Sequence, residues 1–582
     1  IVIHSVVGVK FGEFVKKFFI CLNHLAKILL IFRHREIIYY NSQSMNNLGS
    51  EIVLLLSFYD DLLKKTSLKE IGPKFKVGEA LSSVASFYER LRYAIDYKKE
   101  HLLRRNAIER ILKRNLWEKG EGDVKVLAEA LLKELTWARY IRNNHYSLSK
   151  INEIAGIISR YLLLSRNFAI EFGDKKEIKW KDWLIGVCSC EIEESLDPEV
   201  SSVDVLSMAV ESWFEKKFNW VDGGLSLEEK EDELAIAIHR SLIRGDESQN
   251  AYYVVRRLYK NWNRASLEEV EKNKVEIYKI CLRIRKSLGS PIQSRLYRFV
   301  QKEVSAFQVL KFLIDENLEG AKEIFKDPEK LTLKVSEVCD EKYSEISSRV
   351  NRGIIRSVIY IFVTKIVFAI AIEVPYELYF LKHLSYLPIV SSIAIPLLFV
   401  FLVTATIRKP SEENTKRIID LILDFVYQSK AKEKTDFSLV GRRKGLTYNI
   451  FTTVYLILFV LIFSFISYAL ARVGYNIVGI GIFFIFLSLI LLFGYRVKFS
   501  ASELNVIPKK ESLVSNFMTN LTLPFLDLGV WLSDKFASLN FFILFFDFLI
   551  EAPLKNIMGI LDEWGNYLRE RREEAVEIPV ER

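Results

Sequence analysis

The chain has 582 residues, of which 50% are apolar and 27% are charged, and this length allows several domains. Its 82 basic and 73 acidic residues leave a formal charge of +9, which fits an anionic partner but is a thin excess. Lipid headgroups explain this excess more simply than nucleic acid does. The five cysteines are odd in number and form no disulfide framework, so a reducing compartment is expected.

Residues 1–44 precede the first methionine, Met45, and include a basic apolar stretch at 14–32. This stretch has the character of a signal sequence or an interfacial helix, and equally of a non-native extension. No function is assigned to it.

Residues 45–350 are predicted to form an all-helical domain. Apolar residues recur there at spacings of three and four, and helix-start signals repeat along the segment. These signals are Ser67 with Glu70, Ser226 with Glu229, Ser266 with Glu269, Asp197 before Pro198, and Asp327 before Pro328. A short strand is allowed only at 180–190. The segment after Pro328 has no strong breaker except Gly353, so one helix is predicted to leave the domain and enter the apolar half.

Two segments of the helical domain are rich in basic residues. Residues 89–114 contain nine basic and four acidic side chains, and 252–264 interleave aromatic rings with arginines. Such mixtures can hold phosphates, but no nucleic-acid motif accompanies them. The pattern therefore favours a solvated face or an anionic membrane surface over nucleic acid. The candidate contacts to such a surface are Arg104, Arg105, Arg256, Arg257, Arg442, Arg443 and Lys444.

Beyond Gly353 the chain becomes strongly apolar. Four candidate spans, at 354–379, 387–407, 449–471 and 475–495, each approach the roughly 20 residues that cross a hydrocarbon core. They form two predicted hairpins, 354–407 and 449–495, of a polytopic helical membrane protein. Three glycines of the second hairpin are expected at helix contacts, namely Gly474, Gly479 and Gly481.

The segment 408–448 between the hairpins is predicted to be a basic cytoplasmic loop. It contains ten basic residues, whereas the hairpin tips hold only Lys382 and Arg472. Because basic loops stay in the cytoplasm, the helical domain, this loop and the C-terminus are predicted to be cytoplasmic. The expected location is the cytoplasmic (inner) membrane.

Residues 517–558 are apolar but are interrupted by prolines, including Pro524, and by charges such as Asp527. Each charge placed in mid-bilayer costs about 2.5 to 3.5 kcal/mol. The segment is therefore predicted to form interfacial or re-entrant helices rather than a fifth span. Residues 559–582 are expected to form a charged helix or tail.

Three ionisable residues within the first span form the candidate intramembrane polar site: Lys365, Glu373 and Glu377. In a straight helix Lys365 and Glu373 are about 12 Å apart along the axis, so a direct pair is not expected. The simplest interpretation is a lysine that snorkels to the headgroups and a carboxylate near the far interface, where Pro375 breaks the helix. The alternative is a wet path lined by charges.

No catalytic signature is present. The sequence lacks a Walker loop, HExxH and GxSxG, and Cys188 and Cys190 have no second ligand pair at zinc-site spacing. No enzyme activity, cofactor or metal is therefore predicted. The favoured function is a membrane-anchored scaffold or adaptor that binds lipid and protein partners and forms homo-oligomers. The alternative is an oligomeric ion or solute channel or transporter gated through the cytoplasmic domain.

Overall fold

The computed structural model describes most of the chain after residue 47. The described residues are 48–66, 73–76, 102–118, 122–171, 177–197, 202–221, 225–259, 261–317, 320–382, 386–405, 409–427, 434–437, 446–507, 513–539, 560, 564, 567, 568 and 570–572. Within them the fold is all-α, as the sequence predicts, apart from short strand pairings. Residues 1–44, predicted to be a leader or a non-native extension, lie outside these residues.

The helical domain contains the first twelve helices and the start of the thirteenth. They are α1 (Ser50–Thr66), α2 (Leu103–Glu118), α3 (Val124–Trp137), α4 (Ser149–Glu171), α5 (Glu177–Leu196), α6 (Ser202–Lys217), α7 (Leu227–Ile243), α8 (Glu247–Leu258), α9 (Leu267–Lys272), α10 (Lys274–Leu288), α11 (Pro291–Glu316), α12 (Ala321–Lys326) and α13 (Pro328–Phe368).

The remaining helices follow α13. They are α14 (Tyr386–Ala405), α15 (Glu412–Tyr427), α16 (Leu446–Val473), α17 (Ile477–Ala501) and α18 (Leu513–Leu539). We call the apolar part of α13 together with α14, α16, α17 and α18 the apolar bundle. Strands β1 (Phe218–Trp220) and β2 (Thr435–Phe437) form one short parallel pair.

Several predicted helix starts are present. Ser226 and Glu229 form a reciprocal capping box at α7, with bonds of 3.1 and 3.2 Å. Ser266 caps α9 by accepting from the Glu269 amide. Asp327 caps α13 before a proline in the first turn, where the missing N–H costs nothing. Ser67, Glu70 and Pro198 lie outside the described residues.

The allowance for a strand at 180–190 is wrong, because this segment lies inside α5. Nearly all of its residues are buried on every side of the helix. A helix surrounded by protein loses the polar face that makes helical periodicity visible in a sequence.

The helical domain is built around two hydrophobic cores. The first is formed by α2, α3, α4, α5, α8, α9 and α10, and the second by α1, α6, α11, α12, α13 and α15, while α7 contributes buried residues to both. The presence of α15 in the second core differs from the predicted basic loop 408–448. Phe425 of α15 lies 5.0 Å from Phe307 and 6.5 Å from Trp213, measured between ring centroids. The apolar stripe of α15, with Ile418, Leu421 and Ile422, accounts for this packing.

Helix α13 is 41 residues long and passes through Gly353 without a break. It runs from the second core into the apolar bundle. It is extended by two π-helical segments, Ala369–Glu373 and Glu377–Leu381, on either side of the turn Val374–Tyr376. Pro375 therefore does not end the helix, contrary to the prediction. The helix ends at Lys382, whose φ is 57°.

The two helices of the second predicted hairpin are long and apolar enough to cross a bilayer. They are Asn449–Val473 and Ile477–Phe499, and a shorter apolar helix runs over Tyr386–Phe399. The first of these is mostly exposed and the second mostly half-buried or buried. By length and composition alone these helices are weak support for a membrane location.

Helix α18 is one helix of 27 residues that continues through Pro524. The predicted break of the 517–558 segment at this proline is therefore absent, and residues 540–559 lie outside the described part. The side chain of Asp527 accepts a hydrogen bond from the Tyr455 hydroxyl of α16. This partner reduces the cost of placing the charge in the bundle.

Replacing Gly529 by alanine is expected to destabilise the packing of α18 on α17. A Cβ atom at Gly529 would lie 2.5 Å from the Ser488 carbonyl oxygen and 3.1 Å from Leu492 Cβ. Backbone cannot yield as a side-chain tip does, so Gly529→Ala should cost about 1 to 3 kcal/mol of unfolding free energy. Gly481→Ala is the matched control, because its Cβ would meet no atom within 4 Å. Thermal unfolding in detergent measures both, and equal melting temperatures would contradict the close contact.

The helix contact predicted at the glycines of the second hairpin thus occurs at a different residue. A Cβ atom at Gly481 would have no other atom within 4 Å, so this glycine makes no close helix contact. Gly474 has a φ of 99°, which glycine adopts readily and which the turn between α16 and α17 requires. Gly529 has no other glycine near it in the sequence, so no glycine pattern indicated a helix contact there.

Candidate functional site

A buried ion pair lies inside the apolar bundle. The ammonium of Lys365 donates to the Glu373 carboxylate, and the two residues are 1% and 6% exposed. The same ammonium lies 5.2 Å from the ring centroid of Phe486 on α17. Lys365 therefore does not snorkel, and Glu373 is not a solvated interfacial carboxylate.

The sequence-based expectation that these two residues cannot pair is wrong, and the π-helical segment gives the reason. A π turn contains about one residue more than an α turn. In an α-helix, residues seven positions apart lie about two turns apart on the same face, and across a π turn the same holds for residues eight positions apart. The side chains then share one face. The spacing shortens to about 10 Å along the axis, which a lysine and a glutamate bridge from both sides.

A second group of polar contacts joins the two hairpin tips. Asn476 donates to the Glu377 carboxylate at 3.3 Å and caps α17 by accepting from the Gly479 amide at 2.7 Å. The hydroxyl groups of Tyr475 and Ser391 are 2.6 Å apart. The start of α14 and the turn at Gly474 therefore lie at the same end of the bundle. We call Lys365, Glu373, Glu377, Asn476 and Phe486 the Lys365 cluster.

The chemistry available to the Lys365 cluster is electrostatic. It contains two carboxylates four residues apart, one ammonium and the Asn476 amide. Among the described residues no group of three His, Cys, Asp or Glu side chains is close enough to hold a metal ion. The cluster can hold a charge pair in a dry environment and can change if either member is protonated or deprotonated.

The second feature is the junction between the helical domain and the apolar bundle. Its centre is Asn414, which lies in the first turn of α15 and is 3% exposed. The Asn414 amide donates to the Tyr343 hydroxyl at 2.9 Å and to the Leu504 carbonyl at 2.8 Å. Its side-chain oxygen accepts from the amides of Val506 at 2.8 Å and Ile507 at 3.2 Å. One side chain thus ties together three separate chain segments.

Charged residues reinforce this junction. Arg244, at the end of α7, donates to the Glu503 carbonyl at 2.7 Å and lies 3.5 Å from its carboxylate. Arg349 of α13 lies 4.0 Å from the same carboxylate. Sequence reasoning missed the junction, because Asn414 stands in a charged stretch with no motif. The apolar stripe of α15 was the one signal that this stretch folds against the domain.

Four of the basic residues predicted to contact an anionic surface lie instead in ion pairs inside the helical domain. Arg104 pairs with Asp197 at 2.7 Å, and Arg105 pairs with Glu109 and Asp246. Arg256 lies 2.6 Å from Glu194, and Arg257 forms a two-pronged pair with Glu211 at 2.5 and 2.8 Å. The aromatic rings of the same segment are buried in the first core. Arg442, Arg443 and Lys444 lie outside the described residues.

A buried polar cluster links helices α6, α7 and α8. His239 contacts Asn250 at 3.0 Å and Asp204 at 3.2 Å, and its ring stacks on Tyr253 at 4.1 Å. Asp204 in turn lies 3.2 Å from Arg256. These hydrogen bonds satisfy the buried groups and fix the angle between helices, which is a structural role.

The two neighbouring cysteines of α5 are both buried. Burial raises the pKa of the Cys188 and Cys190 thiols well above the ordinary value, which disfavours the thiolate that metals and electrophiles need.

Protonation of Glu233 on α7 is expected to make the stability depend on pH. Burial, with Asp232 and Glu229 nearby, raises the pKa of Glu233 from 4.5 to about 7, and the amide of Gln293 donates to this carboxylate at 2.9 Å. The native state then binds more protons than the unfolded state between these values. Stability is therefore fully present below about pH 4.5 and falls, by roughly 1 to 2 kcal/mol, as the pH rises to 7.

Urea unfolding of the full chain in detergent at pH 4.5, 5.5 and 7 measures this slope. Glu233→Gln should reduce this slope and should be more stable than the parent at pH 7; part of the slope remains, because burial also raises the pKa of Glu193 and of Glu211 to about 7. Glu228→Gln, at a carboxylate that is 81% exposed, should keep the slope. A parent protein whose stability rises over this range would contradict the assignment.

No family model matches this chain, and neither does any curated protein or solved structure.

Proposed function

We propose that this chain is a multi-pass protein of the cytoplasmic membrane that acts as a scaffold or adaptor. Its helical domain lies in the cytoplasm, binds protein partners and is held at a fixed position relative to the bilayer. The observation that carries this proposal is the junction, where Asn414 ties α13, α15 and the segment after α17 together.

The arrangement of the apolar helices supports the membrane location. The chain leaves the helical domain in α13, returns to it at α15, leaves again in α16 and returns after α17, and both hairpin tips meet at the far end. Large apolar side chains are exposed along this bundle, among them Ile359, Phe401, Leu461 and Phe465. A bilayer provides a favourable environment for such a surface, whereas water does not.

The continuity of α13 supports a mechanical link between the two parts. A helix without a break transmits displacement along its axis, and one face of its first half packs into the second core. Movement of the domain would therefore change the position of Lys365 in the bundle.

Reconstitution into liposomes tests the scaffold proposal. We expect no flux across a broad panel of ions and small solutes, and we expect Lys365→Met with Glu373→Leu to leave membrane localisation and self-association unchanged. Loss of localisation in this double variant would contradict the proposal, as would a flux carried by the parent protein.

A second function, an oligomeric ion or solute channel or transporter, is favoured by the Lys365 cluster. If the lipid-facing surface begins near Ile355, Lys365 lies ten residues further, about 15 Å, near the middle of a core of about 30 Å. Ionisable groups at that depth usually serve ions or substrates. The four membrane helices would need other copies to enclose a pore.

The same liposomes distinguish this second function. A flux that the parent carries, that Glu373→Gln abolishes and that Arg472→Gln retains would establish a transport role for the cluster. Arg472 is suitable as a control because its guanidinium is exposed at a hairpin tip and contacts Tyr468.

A further inference from the structure

Exposed or half-buried basic residues near the start of the apolar surface lie at one level of two neighbouring helices. Helices α13 and α17 pack antiparallel, since Lys365 contacts Phe486 and Arg349 contacts Glu503. These two contacts align the helices along their axes. Arg352 of α13, one turn beyond Arg349, therefore lies at the same height as the C-terminal end of α17. Lys498 and Arg496 of α17 therefore lie within about one turn of the Arg352 level.

These basic side chains are accessible and stand beside exposed apolar ones. Arg352 and Arg496 are exposed, and Lys498 is half-buried against the Tyr495 ring. At the same level Ile355 is 61% exposed and Phe499 is 58% exposed. A partner that covers this surface must offer negative charge and apolar area side by side.

The neighbouring basic residues of the junction differ in one respect. Arg349 has carboxylate partners in Glu345 and Glu503. Within the described part of the chain, Arg352, Arg496 and Lys498 have no carboxylate partner, and the nearest polar contact of Arg496 is the Ser533 hydroxyl at 3.5 Å. Three cations thus point to an anion supplied from outside the described residues.

We propose that Arg352, Arg496 and Lys498 form a binding surface for the phosphate headgroups of anionic phospholipids in the cytoplasmic leaflet. The acyl chains of the same lipids cover Ile355 and Phe499. This inference rests on the proposed membrane location. An anionic lipid matches the surface because it is an amphiphile whose charge lies at the headgroup level and whose tails lie below it.

Native mass spectrometry of the full-length protein in detergent tests this surface with phosphatidylglycerol and phosphatidylcholine as probes. The parent should bind phosphatidylglycerol in clear preference to phosphatidylcholine. In the triple variant Arg352→Gln, Arg496→Gln and Lys498→Gln, this binding should weaken on the order of a hundredfold, since each charge near the headgroups contributes about a fivefold effect. The variant Arg352→Lys with Arg496→Lys keeps the charges and should keep the preference.

A second triple variant controls for net charge. Lys286→Gln, Lys326→Gln and Lys334→Gln remove three exposed charges from the helical domain and should leave lipid binding unchanged. Equal loss in both triple variants would overturn the proposal, as would a parent that binds both lipids alike or that prefers inorganic phosphate. Carbonate extraction of the parent from membranes checks the location separately. Release of the protein by carbonate contradicts the proposed membrane location. Retention of a protein that shows no preference for phosphatidylglycerol contradicts only the proposed lipid-binding surface.

Discussion

Lys365→Met is expected to destabilise the protein by about 3 to 5 kcal/mol, because it leaves the Glu373 carboxylate buried without its partner. Glu373→Leu should cost a similar amount by leaving the ammonium unpaired. The double variant should recover most of the loss, since replacing a whole buried ion pair by apolar side chains is often neutral. Equilibrium unfolding in detergent micelles, followed by circular dichroism, measures all three proteins.

The comparison of single and double variants isolates the pair itself. If the two residues acted independently, the double variant would lose about the sum of the single losses. Arg472→Gln, at an exposed hairpin tip, should change the free energy of unfolding by less than about 0.5 kcal/mol. A Lys365→Met protein as stable as this control would show that the ammonium is solvated rather than paired.

Asn414→Leu is expected to be the most damaging single change at the junction, with a loss of about 3 kcal/mol or more. The leucine fills similar volume but leaves the Leu504 carbonyl and the Val506 and Ile507 amides without their partner. Each buried polar group left unsatisfied costs about 1 to 3 kcal/mol, and the costs overlap because the groups are neighbours. The unfolding free energy in detergent gives the size of the loss.

Limited proteolysis locates the same effect. Cleavage within 502–507 should become faster in Asn414→Leu, because this segment loses its attachment to α15. Asn414→Asp keeps the acceptor for the two amides and should lie between the parent and Asn414→Leu. Asn219→Leu is the matched control, because Asn219 is exposed on β1 and bonds only to Asp436 at 3.3 Å among the described residues. Unchanged cleavage in Asn414→Leu would show that the junction is held elsewhere.

Local signals made much of the fold predictable. The helix starts at Ser226 and Asp327 depend on side chains within three residues, and these interactions form in the structure as the sequence indicates. The continuity of α13 was predictable for the same reason, since only Gly353 interrupts its pattern. Helix α15 carried an apolar stripe, but its acidic and basic neighbours made it look like a loop.

The candidate site was less predictable, because its contacts depend on geometry that residue spacing does not encode. The Lys365 to Glu373 pair needs a π-helical turn, and Pro375 was the one local sign of an irregular helix. The partner of Arg257 is Glu211, which lies on another helix. A count of charged residues within 252–264 therefore does not include it. Counting charge along one segment therefore does not reveal which arginines are paired with carboxylates on other helices.

The side of the membrane on which each loop lies tests the account most directly. Single cysteines introduced at Lys382, Lys434 and Arg472, all exposed, can be labelled in intact cells with a thiol reagent that does not cross membranes. We expect Lys382→Cys and Arg472→Cys, at the two hairpin tips, to react in intact cells. Lys434→Cys, between the hairpins, should react only after permeabilisation. Labelling of Lys434→Cys in intact cells, or the same accessibility at all three positions, would contradict the two-hairpin topology with a cytoplasmic domain.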